Sequence, residues 1–526
     1  MVYSCISSKF GFIIPDAMNN RLALFSFFLI FLIFSVDVFS KKEADRVETY
    51  SRYEVSFEND TWSGNPFDLE FNVELVSPSG RVINQFGFYA GDNVWKLFFM
   101  PDETGRWRYK TLSADSDLSG KEGKFICIKS GIGAPLATSG KQWVFKHGKG
   151  CFPLIWAPIV PDGAHWGFRG RPYTDEAVQD ALLFSGEVAK ATLLGIGELV
   201  VAPVGWAKEW PQSALPYIAG KEGDEFFLPF WDELNKKLDA AATMNMGAYI
   251  MIFGDDEMNP NRYGITPYSD KEKRLLRYVV ARLACYPHIL WDTGIDIGEY
   301  RDDKWISYFA EWFLQNDLWQ HPVSSRSGGG SGGIMPEKGT YFSTGGADLP
   351  SRKQLLKQFK DTKTPIAQTD HWRPFISRGT WTTDKIRIAM WRCALSGSQA
   401  LYVDYNQGKV IQDEVVKGGE LVGYAMQFFK QMLHVDITEL QPNDDLIKGD
   451  GDVILSCKAG YEYVAYDEDG TPFSMFLPGI KTNYFVNWYN PRSGEVIQKE
   501  MVQGEKDNLF IPPLEGKDWV LHLYRE

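Results

Sequence analysis

Residues 288–301 read HILWDTGIDIGEYR, a short apolar run that ends in acidic residues. The apolar residues 289–291 predict a buried β-strand, and Asp292, Asp296 and Glu299 follow it. A strand whose C-terminal end leads into carboxylates is typical of the catalytic face of a β/α barrel. Taken alone, the stretch favours an ordinary solvated turn after a strand. The pattern of the rest of the chain shifts the prediction to a barrel strand that leads into the catalytic residues.

The chain around this stretch alternates between apolar runs and helical patterns. The predicted strands are 152–157, 199–203, 248–253, 289–293, 322–325, 340–343, 365–369 and 400–404. The predicted helices are 175–194, 230–246, 270–286, 303–316, 353–360, 384–395 and 413–433. Eight strands with intervening helices predict an α/β fold of the (β/α)8 TIM-barrel type. A doubly wound sheet is the alternative, but no Gly-rich phosphate loop follows the first strand.

Short alternating strands separated by turn residues flank this region on both sides. They predict an N-terminal β-sandwich over residues 46–130 and a C-terminal β-sandwich over 436–526. The barrel is then expected over 141–435.

The N-terminus has the pattern of a signal peptide. Arg21 precedes an apolar run at 22–34, and a small residue stands at Ser40. We therefore predict a signal peptide over 1–40 and an exported protein, with Met1 and Met18 as alternative starts. The run is short for a membrane span, which favours a signal peptide over the alternative of a retained anchor. No span is expected after signal removal.

Composition excludes some partners. The net charge of −13 disfavours nucleic acid. The cysteines lack metal-ligand spacing and predict small buried residues, with a Cys127–Cys151 bridge as the less favoured alternative. No metal and no cofactor are expected. Aromatic residues make up 15% of the chain, which suits stacking on sugar rings as well as aromatic sandwich cores.

Short motifs in both flanks resemble known domains. Residues 65–68 (NPFD), 87–92 (GFYAGD) and 100–107 (MPDETGRW) resemble the DUF5060 sandwich, which precedes many bacterial barrel glycosidases. Residues 487–494 (NWYNPRSG) and 517–521 (KDWVL) resemble the sandwich named for collagen binding that follows DUF4038-type barrels. The middle of the chain resembles the DUF4038 and clan-A glycoside hydrolase barrels. The resemblance implies an exported glycoside hydrolase that acts on a polysaccharide or oligosaccharide.

The resemblance also implies the catalytic residues. In such barrels a proton-donating Glu ends strand four, usually after Asn, and a nucleophilic Glu ends strand seven. Asp296 falls on the first position, with Ile295 in place of Asn, and Glu299 is the alternative donor. Asp370 falls on the second position. Two carboxyl groups across the scissile bond are what glycoside hydrolysis requires.

Aromatic and charged residues near the predicted strand ends are expected to bind the sugar. They are Trp206, Trp210, Asp255, Trp291, Arg301, Arg326, His371, Trp372, Arg373, Tyr402 and Asp404. Core packing is the alternative for His371 and Trp372, and a salt bridge to Arg301 is the alternative for Glu299.

Two other functions remain open on the sequence. The substituted acids and the missing Asn suit a non-catalytic carbohydrate-binding protein on a degenerate barrel. A polysaccharide lyase with Tyr300, Tyr402 or His371 as its base is the other alternative.

Overall fold

The computed structural model describes residues 45–525 with gaps. The gaps are 147, 149, 152, 158–193, 201–215, 219, 222, 244–246, 255–258, 295–296, 326–334, 346–350, 371–382, 398–399, 405–411 and 450. Only the backbone is described at 153–157, 194–200, 237, 240–241, 243, 345, 369–370, 383, 386, 400–404, 412–419 and 422.

Two antiparallel-rich sheets form the N-terminal part of the described chain. Their strands are β1 (Asp45–Glu48), β2 (Tyr53–Glu58), β3 (Phe71–Val76), β4 (Val82–Phe86), β5 (Phe88–Gly91), β6 (Val94–Phe99), β7 (Gly105–Ser113) and β8 (Glu122–Ile128). One sheet has the order β1-β8-β7-β3-β4 and the other β2-β6-β5. Alternate residues of β3 are buried, as a strand with one face on the core requires. Trp95, Trp107 and Phe125 fill the core that the two sheets share.

A hairpin of β9 (Leu136–Ser139) and β10 (Gln142–Phe145) leads into an eight-stranded parallel sheet. Its strands are β11 (Pro153–Ala157), β12 (Leu194–Val200), β13 (Gly247–Phe253), β14 (Ile289–Gly294), β15 (Val323–Ser324), β16 (Phe342–Gly345), β17 (Ile366–Asp370) and β18 (Ala400–Asp404). The order is β15-β14-β13-β12-β11-β18-β17-β16, so the first strand pairs with the last. Just before β16, the Thr340 N–H donates to the Val323 carbonyl oxygen of β15 at 2.9 Å.

Six α-helices occur in the part of the chain that the structure describes. They are α1 (Leu228–Thr243), α2 (Asp270–Leu283), α3 (Asp303–Asn316), α4 (Arg352–Asp361), α5 (Thr383–Leu395) and α6 (Gln412–Gln431). Side chains of Ser269, Asp302 and Ser351 cap α2, α3 and α4, which explains where these helices begin. The mixed α/β content agrees with the predicted fold class.

The second strand differs from its prediction. It begins at Leu194 and ends at Val200, whereas the sequence predicted 199–203. Leu194, predicted as the last residue of a helix, starts this strand, and Glu198, predicted to precede the strand, lies inside it. Gly195 and Gly197 interrupt the apolar pattern, yet both pair with β11. A strand that contains glycines at alternate positions gives a weak sequence signal.

The C-terminal part again consists of two sheets. Its strands are β19 (Gln441–Pro442), β20 (Ile447–Lys448), β21 (Val453–Lys458), β22 (Glu462–Asp467), β23 (Phe473–Phe476), β24 (Asn483–Tyr489), β25 (Val496–Gln503), β26 (Asp507–Phe510) and β27 (Trp519–Tyr524). The sheet orders are β19-β21-β22-β27-β24-β25 and β20-β23-β26. Trp488, Trp519 and Phe510 lie in the core between them.

A buried carboxylate ties α5 to these C-terminal strands. Asp518 accepts from Arg387 Nε at 2.8 Å and Nη2 at 3.0 Å, from Arg492 Nη1 at 2.7 Å and from the Tyr466 hydroxyl at 2.8 Å. Burial opposes ionisation of Asp518, but these donors outweigh it and lower the pKa of the carboxyl group. The parallel-sheet region and the C-terminal sheets therefore share an ionic contact.

The pKa of Asp467, at the end of β22, is shifted in the opposite direction from that of Asp518. Its Oδ1 accepts from the backbone N–H groups of Asp469 and Gly470, but its buried Oδ2 has no partner in the described chain. Burial raises the pKa of Asp467 to about 6, although the backbone donors oppose the shift. Because the pKa in an unfolded chain is about 3.9, the folded state binds more protons between about pH 4 and 6, and stability falls as the pH rises through that window.

Asp467→Asn removes this titration. We expect the variant to be more stable relative to the wild type at pH 7 than at pH 4. The difference in the free energy of unfolding, variant minus wild type, should rise by about 2–3 kcal/mol between the two pH values. Urea unfolding at both pH values measures this difference. Asp60→Asn, at an exposed position, is the control and should show no such change. A pH-independent difference for Asp467→Asn would contradict the assignment.

All five cysteines of the described chain are free and buried, as predicted. Cys127 and Cys151 do not form a bridge. Among the described residues, no helix has the length and apolarity needed to cross a membrane.

Candidate active site

The two faces of β14 have different environments. Ile289 and Trp291 pack with the helix-facing core, whereas Leu290 packs with Tyr249 and Met251 in a separate cluster. Because successive side chains of a strand point to opposite faces, Asp292 shares the face of Leu290. The hydrogen bond from the Tyr249 hydroxyl to Asp292 Oδ2, at 2.9 Å, agrees with this placement. An acidic side chain therefore lies fully buried on the inner face of the sheet.

Asp292 also fixes the end of its own strand. Its Oδ1 accepts from the Gly294 backbone N–H at 3.0 Å. Gly294 has φ +140°, and a Cβ there would lie 2.2 Å from the Phe253 carbonyl oxygen. Only glycine fits this close approach, so the chain leaves β14 in one defined direction toward the acidic segment.

The acidic segment returns to the core within a few residues. Asp296 lies outside the described residues. Ile297–Glu299 form a 3-10 turn in which Ile297 is buried and Glu299 is exposed. Tyr300 is buried directly after the turn, which places it poorly for the role of a lyase base. Glu299 thus stands on a short turn anchored at both ends by buried residues.

Arg301 provides the second anchor. Its side chain is 0% exposed and pairs with Glu272 Oε1 at 2.9 Å, and Glu272 is also 0% exposed. The guanidinium further donates to Asn261 Oδ1 at 2.6 Å and to the Ile265 carbonyl oxygen at 2.7 Å. Glu272 in turn accepts from Trp305 Nε1 and from the Tyr268 N–H. Burial lowers the pKa of Arg301, and the charge of Glu272 opposes that effect.

These contacts correct two predictions. Arg301, predicted to bind substrate, is enclosed by protein and holds the segment after β14 in place. The salt bridge between Glu299 and Arg301 that stood as an alternative is also wrong, because Glu272 occupies the guanidinium. The partner comes from α2, 29 residues away in sequence, so the local pattern could not reveal it.

Trp291 is corrected in the same way. Its indole is fully buried, donates from Nε1 to Asp317 Oδ2 at 2.9 Å, and packs against Phe313 of α3. It therefore belongs to the layer between sheet and helices and does not face a substrate.

Asp370 and Asp404 are the last residues of β17 and β18. Tyr402 lies two residues before the end of β18, where it pairs with Ile155. Since all eight strands are parallel, their carboxyl ends share one edge of the sheet. The backbone positions of Asp370 and Asp404 are thus at the same edge as the segment that carries Asp296 and Glu299.

Several predicted site residues lie outside the described residues. They are Trp206, Trp210, Asp255, Asp296, Arg326, His371, Trp372 and Arg373. Within the described chain, no group of three His, Cys, Asp or Glu residues is arranged to hold a metal ion.

The sequence analysis missed the inner-face pair of Tyr249 and Asp292 as site residues. Tyr341 belongs to the same buried cluster as Tyr249 and Leu290. Burial and the nearby charge of Asp292 raise the pKa of its hydroxyl group. The Tyr341 hydroxyl donates to the Trp291 carbonyl oxygen at 3.0 Å. The local sequence gave no signal for the pair, because every residue of both strands is buried and the two side chains come from different strands.

Comparisons with known families identify both flanks. Residues 46–114 match the family described as "Domain of unknown function (DUF5060)", and residues 442–524 match the "Putative collagen-binding domain of a collagenase". The chain carries both of these domains. A sequence search of curated proteins finds no match.

Solved structures share the fold of most of the chain. A putative glycoside hydrolase from Bacteroides vulgatus ATCC 8482 superposes with a TM-score of 0.76 at 17% identity, covering 91% of this chain and 99% of its own. Another structure, named as a glycoside hydrolase, gives a TM-score of 0.57 at 14% identity, covering 75% and 97%. At these identities the likeness establishes the fold.

Proposed function

We propose that the protein is an exported glycoside hydrolase that cleaves a polysaccharide or oligosaccharide with two carboxyl groups. The observation that carries the proposal is the pair of acidic segments at the carboxyl edge of the parallel sheet, one after β14 and one at the end of β17. In the closed barrel proposed below, only β15 and β16 would separate β14 from β17 on one side, and both strands would face a common cleft. The fold likeness to proteins named glycoside hydrolases gives further support.

The sheet is proposed to close as a (β/α)8 barrel. An open doubly wound sheet has no reason to pair its first strand with its last, whereas a barrel requires this pairing. The hydrogen bond from Thr340, just before β16, to Val323 of β15 links the two strands at the ends of the strand order. We propose the barrel over 141–435, flanking sandwiches over 46–130 and 436–526, and a signal peptide over 1–40.

The reaction follows from the two carboxyl groups. One carboxylic acid donates its proton to the glycosidic oxygen as the bond to the anomeric carbon breaks. Asp370, ionised, either attacks the anomeric carbon or removes a proton from the attacking water. In the first route the deprotonated donor then removes a proton from a water, which displaces Asp370 from the anomeric carbon. Both routes place the oxygen of water on the anomeric carbon, and the distance between the carboxyl groups selects between retention and inversion.

Asp296 is our preferred proton donor. Glycosidase acids commonly keep their proton near neutral pH through burial, and Glu299 is exposed.

Matched substitutions can identify the donor. Asp296→Asn is expected to slow cleavage of unactivated glycosides on the order of 10²-fold or more, and to spare aryl glycosides whose leaving group needs no proton. Glu299→Gln is the matched control and should retain activity on both. The opposite result would assign the proton transfer to Glu299.

Product analysis separates the proposal from its alternatives. Soluble plant and algal polysaccharides incubated with the full chain should yield new reducing ends without the ultraviolet absorbance of unsaturated uronate ends. Binding without any cleavage would support the carbohydrate-binding alternative, which Ile295 in place of Asn favours. Unsaturated ends would identify a lyase.

A further inference from the structure

A groove of about 650 Å³ lies on the outer wall of the described chain, between the N-terminal sheets and helices α2 and α3. This is the usual size of a small-molecule site. Its walls are rich in aromatic rings, some half-buried and some fully buried. The aromatic residues are Phe67, Phe86, Phe88, Tyr89, Tyr278, Tyr308 and Trp312.

Tyr308 and Trp312 form the helical side of the groove. They are four residues apart on α3, so they lie one turn apart on the same face of the helix. Both are half-buried, and no hydrogen bond within the described chain occupies the Tyr308 hydroxyl or the Trp312 Nε1. Two adjacent rings with free polar atoms provide stacking surfaces with hydrogen-bonding groups at their edges.

A further aromatic residue, Tyr268, lies beside Tyr308. Tyr268 contacts it edge to face, with ring centroids 4.9 Å apart, and is 38% exposed. Its backbone has φ +64°, a left-handed conformation that is uncommon for tyrosine. The Tyr268 backbone N–H donates to Glu272 Oε2 at 2.7 Å. The buried Glu272–Arg301 pair therefore fixes the backbone that presents this ring at the surface. Such local strain tends to occur where a side chain serves a ligand.

Polar groups accompany these rings on both helices, with Arg277 on α2 and Asn316 at the end of α3. The Arg277 guanidinium lies 5.3 Å from the Phe86 ring and pairs with Glu70 at 3.0 Å. Its Nε is buried and has no partner within the described chain. Asn316 donates from Nδ2 to the Trp312 carbonyl oxygen, which leaves its Oδ1 as an acceptor. A donor and an acceptor thus accompany the aromatic rings.

The charges of the lining cancel. Three acidic residues face three basic residues, and Arg274 is already paired with Asp68 and Asp224. The six residues are Asp68, Glu70, Asp270, Lys273, Arg274 and Arg277. A neutral lining of aromatic rings and hydrogen-bonding groups complements an uncharged ligand and gives no advantage to a polyanion.

We propose that this groove binds an uncharged oligosaccharide segment as a second carbohydrate site, separate from the carboxyl edge of the sheet. The choice of a sugar as ligand rests on the proposed function. α2 and α3 begin after the carboxyl ends of β13 and β14, so the end of the groove near Tyr268 is the one closer to that edge. A chain held in the groove is thereby kept near the candidate active site.

Native affinity gels with the full chain test this site. The probes are barley β-glucan, arabinoxylan, galactomannan and glucomannan, with alginate and polygalacturonate as charged comparisons. We expect at least one neutral polymer to retard the protein, and Trp312→Ala or Tyr308→Ala to weaken its apparent affinity about tenfold. Tyr461→Ala is the matched control, since Tyr461 is an exposed aromatic residue of the C-terminal strands outside the groove. Trp312→Phe keeps a ring and should retain most of the affinity.

The outcomes distinguish this site from the catalytic proposal. Asp370→Asn should abolish cleavage and leave retardation unchanged, whereas the groove variants should cleave short oligosaccharides at the wild-type rate. Retardation by charged polymers alone, no retardation by any neutral polymer, or equal retardation of the groove variants and the wild type would overturn the groove proposal. Thermal melting tests whether each variant is folded. If Trp312→Ala does not fold, the affinity of Tyr308→Ala tests the groove proposal.

Discussion

Asp370→Asn is expected to lower kcat on the cleaved polysaccharide on the order of 10²- to 10⁴-fold. The amide has nearly the shape of the carboxyl group but cannot attack the anomeric carbon or accept a proton from water. Because Asp370 is the terminal residue of β17, at the shared edge of the parallel sheet, we expect little change in folding. Initial rates of reducing-end formation, together with melting temperatures, measure both effects.

Asp60→Asn is the control for this substitution, since Asp60 is an exposed residue of the N-terminal region. It should retain full activity. An Asp370→Asn protein that is folded and cleaves at the wild-type rate would remove Asp370 from the mechanism. If Asp370 is a nucleophile, azide should restore cleavage to Asp370→Gly and yield a glycosyl azide.

Glu272→Ala is expected to lower the free energy of unfolding by about 3–5 kcal/mol. The substitution leaves the fully buried Arg301 guanidinium without its counter-ion, and it removes the acceptor of Trp305 Nε1 and of the Tyr268 N–H. An uncompensated buried charge is far more costly than the loss of an exposed pair. Urea unfolding, compared by transition midpoint and slope, measures the loss.

Glu122→Ala is the matched control. Its partner Lys110 lies at 3.2 Å, and both side chains are at least half exposed, so the expected loss is within about 1 kcal/mol. Equal losses in the two variants would contradict the structural role assigned to the Glu272–Arg301 pair. Because that pair anchors the segment after β14, activity should also fall in Glu272→Ala even under conditions in which the protein is folded.

The sequence located the strands that carry the candidate site but not the directions of their side chains. The prediction for β14 was correct to one residue and that for β18 had the observed bounds, because both are apolar runs that end in acids. Every residue of β14 is buried, however, as expected for a strand of a parallel sheet covered on both faces. Nothing in the local pattern says which face is the inner one, and Trp291 was therefore assigned to the wrong side.

The flanking domains were detectable for a different reason. Their motifs contain turns with unusual backbone conformations, which few residue types tolerate. Gly91, Asp92 and Asn93 all have positive φ, as does Gly494 in the C-terminal motif. Such turns limit the sequence strongly, whereas a buried strand of a parallel sheet accepts many apolar combinations, so the middle of the chain gave a weaker signal.

The most direct test of the central proposal is cleavage in water enriched in oxygen-18, with the products analysed by mass spectrometry. A glycoside hydrolase must transfer the oxygen of water to the anomeric carbon, so we predict one heavy oxygen at the new reducing end of each wild-type product and none formed by Asp370→Asn. Cleavage products that carry no heavy oxygen, or labelled products formed equally fast by Asp370→Asn, would contradict a hydrolase whose two carboxyl groups lie after β14 and at the end of β17.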